Sequence, residues 1–139
     1  MPDRIVAGTY AAAAAITNGD VTLDDFPYDA LLASIQHFRE IGVHVDRVSG
    51  DDPMRCTVRV TSERNLKPTT ITTQPHPGFP TDLQAQFMAL LCLAEGNSVV
   101  TEKIYPERFM HVAELMRMGR SEEHTSELQS PCNLVCRLL

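Results

Sequence analysis

Pro75-His76-Pro77-Gly78-Phe79-Pro80-Thr81-Asp82-Leu83-Gln84-Ala85-Gln86-Phe87, continued by the apolar run Met88 to Ala94 and then Glu95-Gly96-Asn97, decides how this chain folds. Each of the three prolines locks φ and biases the residue before it toward extended backbone, so no helix begins before about Thr81. Thr81 is then a natural N-cap. Asp82 falls in the first turn, where free amide N–H groups and the positive end of the helix dipole favour an anion. The stretch predicts a helix over 81–95 with one carboxylate at its mouth. From pattern alone, Asp82 reads first as a helix-start acid and second as a catalytic or ligand-binding carboxylate. His76 lies in the rigid loop that delivers the chain to Asp82, so it either reaches the same ligand or is simply solvated.

Working outward, the same pattern occurs twice. Gly19 and Gly96 stand 77 positions apart, as do Gly42 and Gly119. At that offset Tyr10 meets Phe87, Ala12 meets Ala89, Ala14 meets Leu91, Leu32 meets Phe109, Ile35 meets Val112, Phe38 meets Leu115 and Ile41 meets Met118. Each unit reads as an apolar helix (7–18; 81–95), a short strand (21–23; 98–102) and an amphipathic helix closed by Gly (28–41; 107–118). The first helix of each unit is apolar almost all round and is expected to be buried. The second carries one stripe, Leu31, Leu32, Ile35 and Phe38 or Phe109, Val112, Leu115 and Met116, suited to covering a sheet. In the first unit, strands over 43–48 and 56–61 come next, joined by a turn at Gly50-Asp51-Asp52-Pro53. The fold class is therefore α/β, with helix and strand alternating in a repeated unit.

After Gly119 the repeat stops. Residues 120–131 show no alternation, and Cys132 to Leu139 have no counterpart in the first unit. Residues 120–139 resemble translated adaptor sequence and are expected to be a foreign, unstructured tail, so Cys132, Cys136 and His124 are given no functional role. The expected organisation is a partial domain over 1–119, divided into units 1–74 and 75–119.

Composition narrows the function. A chain of 139 residues with 43% hydrophobic content fits one globular domain. A formal charge of −6, with scattered lysines and arginines, leaves no electrostatic footprint for nucleic acid. The alanine-rich stretch from Tyr10 to Ile16 lacks a basic region before it and is too short to span a bilayer, so a cytoplasmic protein without membrane partners is expected. The four cysteines have no zinc-type spacing, and free thiols are the simplest account. Cys92, among Leu90, Leu91 and Leu93, reads as an inert core thiol. Arg108 and His111 either bind an anion or make surface pairs, the latter being favoured. Asp3-Arg4 precedes the first helix much as Thr81-Asp82 precedes the third, which suggests one functional edge shared by both units. No Gly-rich phosphate loop, Ser/His/Asp arrangement or metal cluster is visible, so neither metal nor cofactor is expected.

At Pro75 to Phe87, at Arg108-Phe109-Met110-His111-Val112 with Glu114-Leu115 and Arg117-Met118-Gly119, and at Pro2-Asp3-Arg4-Ile5 with Gly8-Thr9, the chain resembles the UDP-N-acetylglucosamine 1-carboxyvinyltransferases, the enolpyruvyl transferases of peptidoglycan synthesis. The resemblance runs from residue 2 to about 119. It implies part of an inside-out α/β barrel whose domains are built from βαβαββ units, of which about one and a half are present here. It also implies transfer of enolpyruvyl from phosphoenolpyruvate to the 3-hydroxyl of UDP-N-acetylglucosamine. By the same resemblance Asp82 is the carboxylate that binds that hydroxyl and takes its proton. Thr81 helps to position the nucleotide sugar, and Ile104 and Tyr105 line its uridine and sugar. Tyr105 stands where the family often has Phe. The family's phosphoenolpyruvate-binding lysine and arginines, and its Cys/Asp loop, lie outside this stretch, so the fragment is expected to be inactive alone. Two alternatives stay open: the sister enolpyruvyl transferase of the shikimate pathway, and a non-enzymatic repeat module that binds a partner through exposed sheet edges.

Overall fold

The computed structural model describes residues 2–118 and the backbone of 134–138. Helix α1 spans Arg4–Ile16 and begins earlier than the apolar pattern suggests because Asp3 caps it, its Oδ1 accepting from the N–H of Ile5 at 2.8 Å and of Val6 at 3.3 Å. Its buried face is Gly8, Ala11, Ala12, Ala14 and Ala15, small enough for close approach to its neighbours. Val6, Tyr10 and Ile16 point outward, so the expectation of a helix buried all round is corrected to one of a single buried face.

Strand β1 (Asp20–Phe26) leads into a 3₁₀ turn, Tyr28–Leu31, and helix α2 (Leu32–Ile41). Leu31, Ile35 and Phe38 are buried, whereas Leu32, expected in the same stripe, stands about 120° round α2 from Phe38 at 3.6 residues per turn and is 54% exposed. Gly42 closes α2 at φ 104°, its N–H reaching the carbonyls of Phe38 and Arg39 at 3.1 Å each. Strands β2 (Val43–Ser49) and β3 (Cys56–Ser62) complete an antiparallel sheet of order β1-β3-β2, with Val60 opposite both Val21 and Val45. Val43, Val45, Cys56, Val58 and Val60 form its buried face under α1 and α2.

The second sheet has order β4-β5-β6, all parallel. Strand β4 (Thr70–Thr72) was not expected from the sequence. Helix α3 covers Gln84–Leu91 after a 3₁₀ turn at Thr81–Leu83 and stops short of the expected Glu95, whose N–H bonds to the Leu66 carbonyl at 2.9 Å. Strand β5 runs Ser98–Glu102, as the repeat predicts, and helix α4 runs Met110–Met118, later than expected. Cys92, at the C-terminal end of α3, is half-buried and disulfide-bonded, which corrects the reading of an inert free thiol. Buried Cys56 is a free thiol.

Within the expected unstructured tail, Leu134–Leu138 form β6. This mostly apolar segment pairs in parallel with the open edge of β5, whose N–H and C=O groups accept a further strand. Residues 119–133, including His124 and Cys132, lie outside the described residues.

The core joins both sheets through aromatic side chains. Phe87 of α3 lies 4.3 Å from Phe38 of α2 and 4.8 Å from Phe79, ring centre to ring centre, the latter pair edge-on. Helices α1 and α3, the equivalent helices of the repeat, pack on each other. Gln86 Nε2 donates to Thr9 Oγ1 at 2.9 Å, and these two residues are 77 positions apart. The absence of a side chain at Gly8 permits this approach, since a Cβ there would stand 2.7 Å from Leu83 Cδ1.

Candidate active site

Pro80, extended at φ −74° and ψ 136°, turns the chain into the Thr81–Leu83 turn that precedes α3. No side chain caps this turn. Thr81, expected as the N-cap, instead donates its hydroxyl to Glu102 Oε2 at 2.8 Å. Asp82 lies in the first turn but makes no capping bond; it is half exposed and accepts from Arg108 Nη1 at 2.7 Å. The same nitrogen donates to Thr81 Oγ1 at 3.2 Å. The Arg108 guanidinium also lies over the Tyr105 ring, 5.2 Å from its centre.

Thr81, Asp82, Ile104, Tyr105, Glu107, Arg108, Met110 and His111 line one open cleft of about 540 Å³. That volume suits a small-molecule ligand. One wall is apolar, from Ile104, Tyr105 and Met110, and the other carries the Asp82 carboxylate. The structure thus brings Thr81, Asp82, Ile104 and Tyr105 together. His76 is exposed and does not line the cleft; Phe79 turns the loop back, its carbonyl accepting from the Gln74 N–H at 3.0 Å. Asp3 is engaged as the cap of α1, so the two units do not share a functional edge through these acids.

Three cleft features were not read as functional from sequence. Arg108 and His111, favoured as surface residues, line the cleft. His111 Nε2 lies 3.1 Å from Met88 Sδ, and burial holds its pKa below the ordinary value because the charged imidazolium is disfavoured there. Glu102, read only as the end of a strand, is fully buried beneath the cleft. Burial alone would push its pKa up. Hydrogen bonds from Thr73, the Ile104 N–H, Thr81 and the Tyr105 N–H outweigh it and hold the carboxyl below its ordinary value, hence ionised. Among the described residues no cluster of His, Cys, Asp or Glu could hold a metal ion, and no helix is long and apolar enough to cross a membrane.

The family model for EPSP synthase (3-phosphoshikimate 1-carboxyvinyltransferase) matches residues 1–133, and the chain belongs to that family of enolpyruvyl transferases. Among curated proteins it is similar to a UDP-N-acetylglucosamine 1-carboxyvinyltransferase of Hyphomonas neptunium, 56% identical over 122 residues, covering 86% of this chain and 27% of the relative. It is also similar to proteins of the same name from Oleidesulfovibrio alaskensis, 52% identical over 119 residues, covering 86% of this chain and 27% of the relative, and from Lawsonia intracellularis, 47% identical over 129 residues, covering 91% and 30%. The chain therefore spans between a quarter and a third of these relatives. Among solved structures, the crystal structure of the enolpyruvyl transferase NikO from Streptomyces tendae superposes with a TM-score of 0.72 at 24% identity, covering 86% of this chain and 27% of that one. The fold is accordingly an α/β fragment of the barrel-like enolpyruvyl transferase domain.

Proposed function

We propose that this chain is a segment of an enzyme that moves enolpyruvyl from phosphoenolpyruvate to the 3-hydroxyl of UDP-N-acetylglucosamine, the first committed step of peptidoglycan synthesis. The observation that carries this reading is the meeting of Asp82, Thr81, Ile104 and Tyr105 around one cleft in a chain about half identical to relatives of that name. In the reaction, the sugar oxygen forms a bond to C2 of phosphoenolpyruvate while its proton passes to the Asp82 carboxylate. C3 gains a proton from an acid outside this segment. Loss of a proton from C3 and of phosphate from C2 then restores the vinyl group. A carboxylate is a weak base for an alcohol, so proton transfer has to accompany C–O bond formation, and positioning supplies most of the effect. Arg108 holds the carboxylate at the mouth of the cleft, Thr81 lies beside it, and Ile104 and Tyr105 offer an apolar and aromatic wall for uridine and sugar. The groups that grip phosphoenolpyruvate belong to the remainder of the enzyme, so the fragment alone is inactive. The same reading puts the enzyme in the cytoplasm, with consequences for cell wall biogenesis, cell shape and division.

Placing residues 2–118 into the corresponding stretch of the Hyphomonas neptunium relative gives a full-length enzyme for the test. Its Asp82→Asn variant is expected to lose kcat by roughly 10²- to 10⁴-fold with the KM for phosphoenolpyruvate retained. Because the matching family description names 3-phosphoshikimate, the sister reaction is the second reading. Turnover of shikimate 3-phosphate but not of the nucleotide sugar would establish it. Turnover of neither would favour a non-enzymatic repeat module. Residues 120–139 we read as foreign to the domain because the repeat stops at Gly119, although the family match extends to 133; the flanking nucleotide sequence decides this point.

A further inference from the structure

Glu102 does not line the cleft, yet it is bonded to both of its walls. Its Oε1 accepts from Thr73 Oγ1 at 2.5 Å, from the Ile104 N–H at 2.8 Å and from the Tyr105 N–H at 3.1 Å, while Oε2 accepts from Thr81 Oγ1 at 2.8 Å. The Thr73 hydroxyl accepts in turn from the Lys103 N–H at 2.9 Å, so its single proton is committed to Glu102. The proton of Thr81 is likewise committed, which leaves that hydroxyl as an acceptor for Arg108, and Arg108 carries the chain of bonds on to Asp82. The direction of every bond in this chain is fixed by one buried group that can only accept. An amide of the same shape would turn an N–H toward Thr81 or toward the two backbone donors, and one side of the cleft would lose its anchor.

We infer that Glu102 is the positioning residue of this cleft, setting the Ile104–Tyr105 backbone directly and the Asp82 carboxylate through Thr81 and Arg108. Its effect on turnover rests on the reading of the cleft as a nucleotide-sugar site. In the full-length enzyme carrying this segment, Glu102→Gln is expected to raise the KM for UDP-N-acetylglucosamine by about tenfold, the equivalent of one lost charged hydrogen bond, with the KM for phosphoenolpyruvate within about twofold. With ¹⁵N-labelled isoleucine and tyrosine, the amide proton resonances of Ile104 and Tyr105 should move upfield as the charged acceptor is lost. Thr81→Val removes one donor and keeps the side-chain shape, so it should shift the same KM in the same direction by less. It serves as the deciding variant if Glu102→Gln does not fold. A role confined to stability would leave both KM values unchanged or raise them by one common factor, and with unmoved amide resonances that result overturns the proposal. If the parent enzyme turns over no nucleotide sugar, the proposed function falls, while the two amide resonances still decide whether Glu102 sets this backbone.

Discussion

At the 77-residue offset, Asp82, Glu102, Tyr105 and Arg108 of the second unit correspond to Ile5, Asp25, Tyr28 and Leu31 of the first. The tyrosines match, and each carries an arginine near its ring: Arg47 lies 5.9 Å from the centre of Tyr28, as Arg108 lies 5.2 Å from that of Tyr105. The other three pairs diverge. Leu31 is buried and fills the first unit where Arg108 stands half exposed beside Asp82. Asp25 is exposed on β1 with Arg55 at 3.3 Å, whereas Glu102 is buried among four donors. The acids near the helix starts differ as well. Asp3 caps α1, while Asp82, two positions further along the repeat, caps nothing and faces Arg108. One helix-strand frame thus supports a closed apolar corner in one copy and an open polar cleft in the other, and exchanging a few side chains is enough to separate them.

The strongest way to break this comparison is at the packed helices. Phe87 is fully buried and its counterpart Tyr10 is 62% exposed. Phe87→Ala should destabilise this chain by about 3–5 kcal/mol in urea unfolding, through the lost contacts and the cavity left behind. Tyr10→Ala should change it by no more than about 0.5 kcal/mol. Similar losses at both sites would show that the two helices are equally buried in solution. A smaller effect sharpens the contrast between the acids. Asp3→Ala should cost about 1 kcal/mol as a lost cap. Asp82→Ala, which removes only a half-exposed ion pair, should cost less than about 1 kcal/mol, so a Tm drop greater than that of Asp3→Ala would assign Asp82 to the fold and away from chemistry.

The smallest effect is in pH. His111 corresponds to Ser34, which does not titrate, so its contribution is peculiar to the second unit. Burial lowers the pKa of His111 in the fold, so the unfolded chain takes up its proton first and stability declines as pH falls through the ordinary histidine value. Glu102 acts at lower pH. Its carboxyl is held below its ordinary value, so the stability it adds is complete above that value and is lost as pH falls through the lower one. His111→Gln should flatten the first decline and Glu102→Gln the second in unfolding midpoints followed from neutral to acid pH. A Glu102→Gln profile that keeps the acid limb of the parent would contradict the hydrogen bonds assigned to it.

Local chemistry made much of the frame legible. Pro75 to Pro80 forbid a helix before Thr81, Gly42 closes α2, and the offset of the repeat locates the start of β5 at Ser98. The unexpected strand β4 has three residues and no alternation to reveal it, and its counterpart at the same offset would fall ahead of residue 1. Leu32 does not belong with the buried stripe because, at 3.6 residues per turn, it stands about 120° round α2 from Phe38. For the site, the roles of Thr81, Asp82, Ile104 and Tyr105 were implied by a family resemblance, and pattern alone favoured a cap for Thr81 and a helix-start acid for Asp82. Glu102 was not picked out and Arg108 was read toward surface pairs, since their side-chain partners lie 21 to 29 residues away in sequence. One signal was available: a glutamate ending a largely buried strand needs donors around it, and Thr73 and Thr81 are hydroxyls on the neighbouring segments.

Gly8 corresponds to Ala85, and the side chain that α1 lacks is what lets Leu83, at the start of the equivalent helix, lie against it. Two identical copies could not dock in this way, because a methyl group at position 8 would force Leu83 to turn or the first helix to withdraw. Where a duplicated module packs against itself off-axis, the contact surfaces of the two copies have to drift apart before they can fit. The glycine at position 8 is therefore a mark of that divergence, and restoring symmetry by Gly8→Ala would cost the pair its fit.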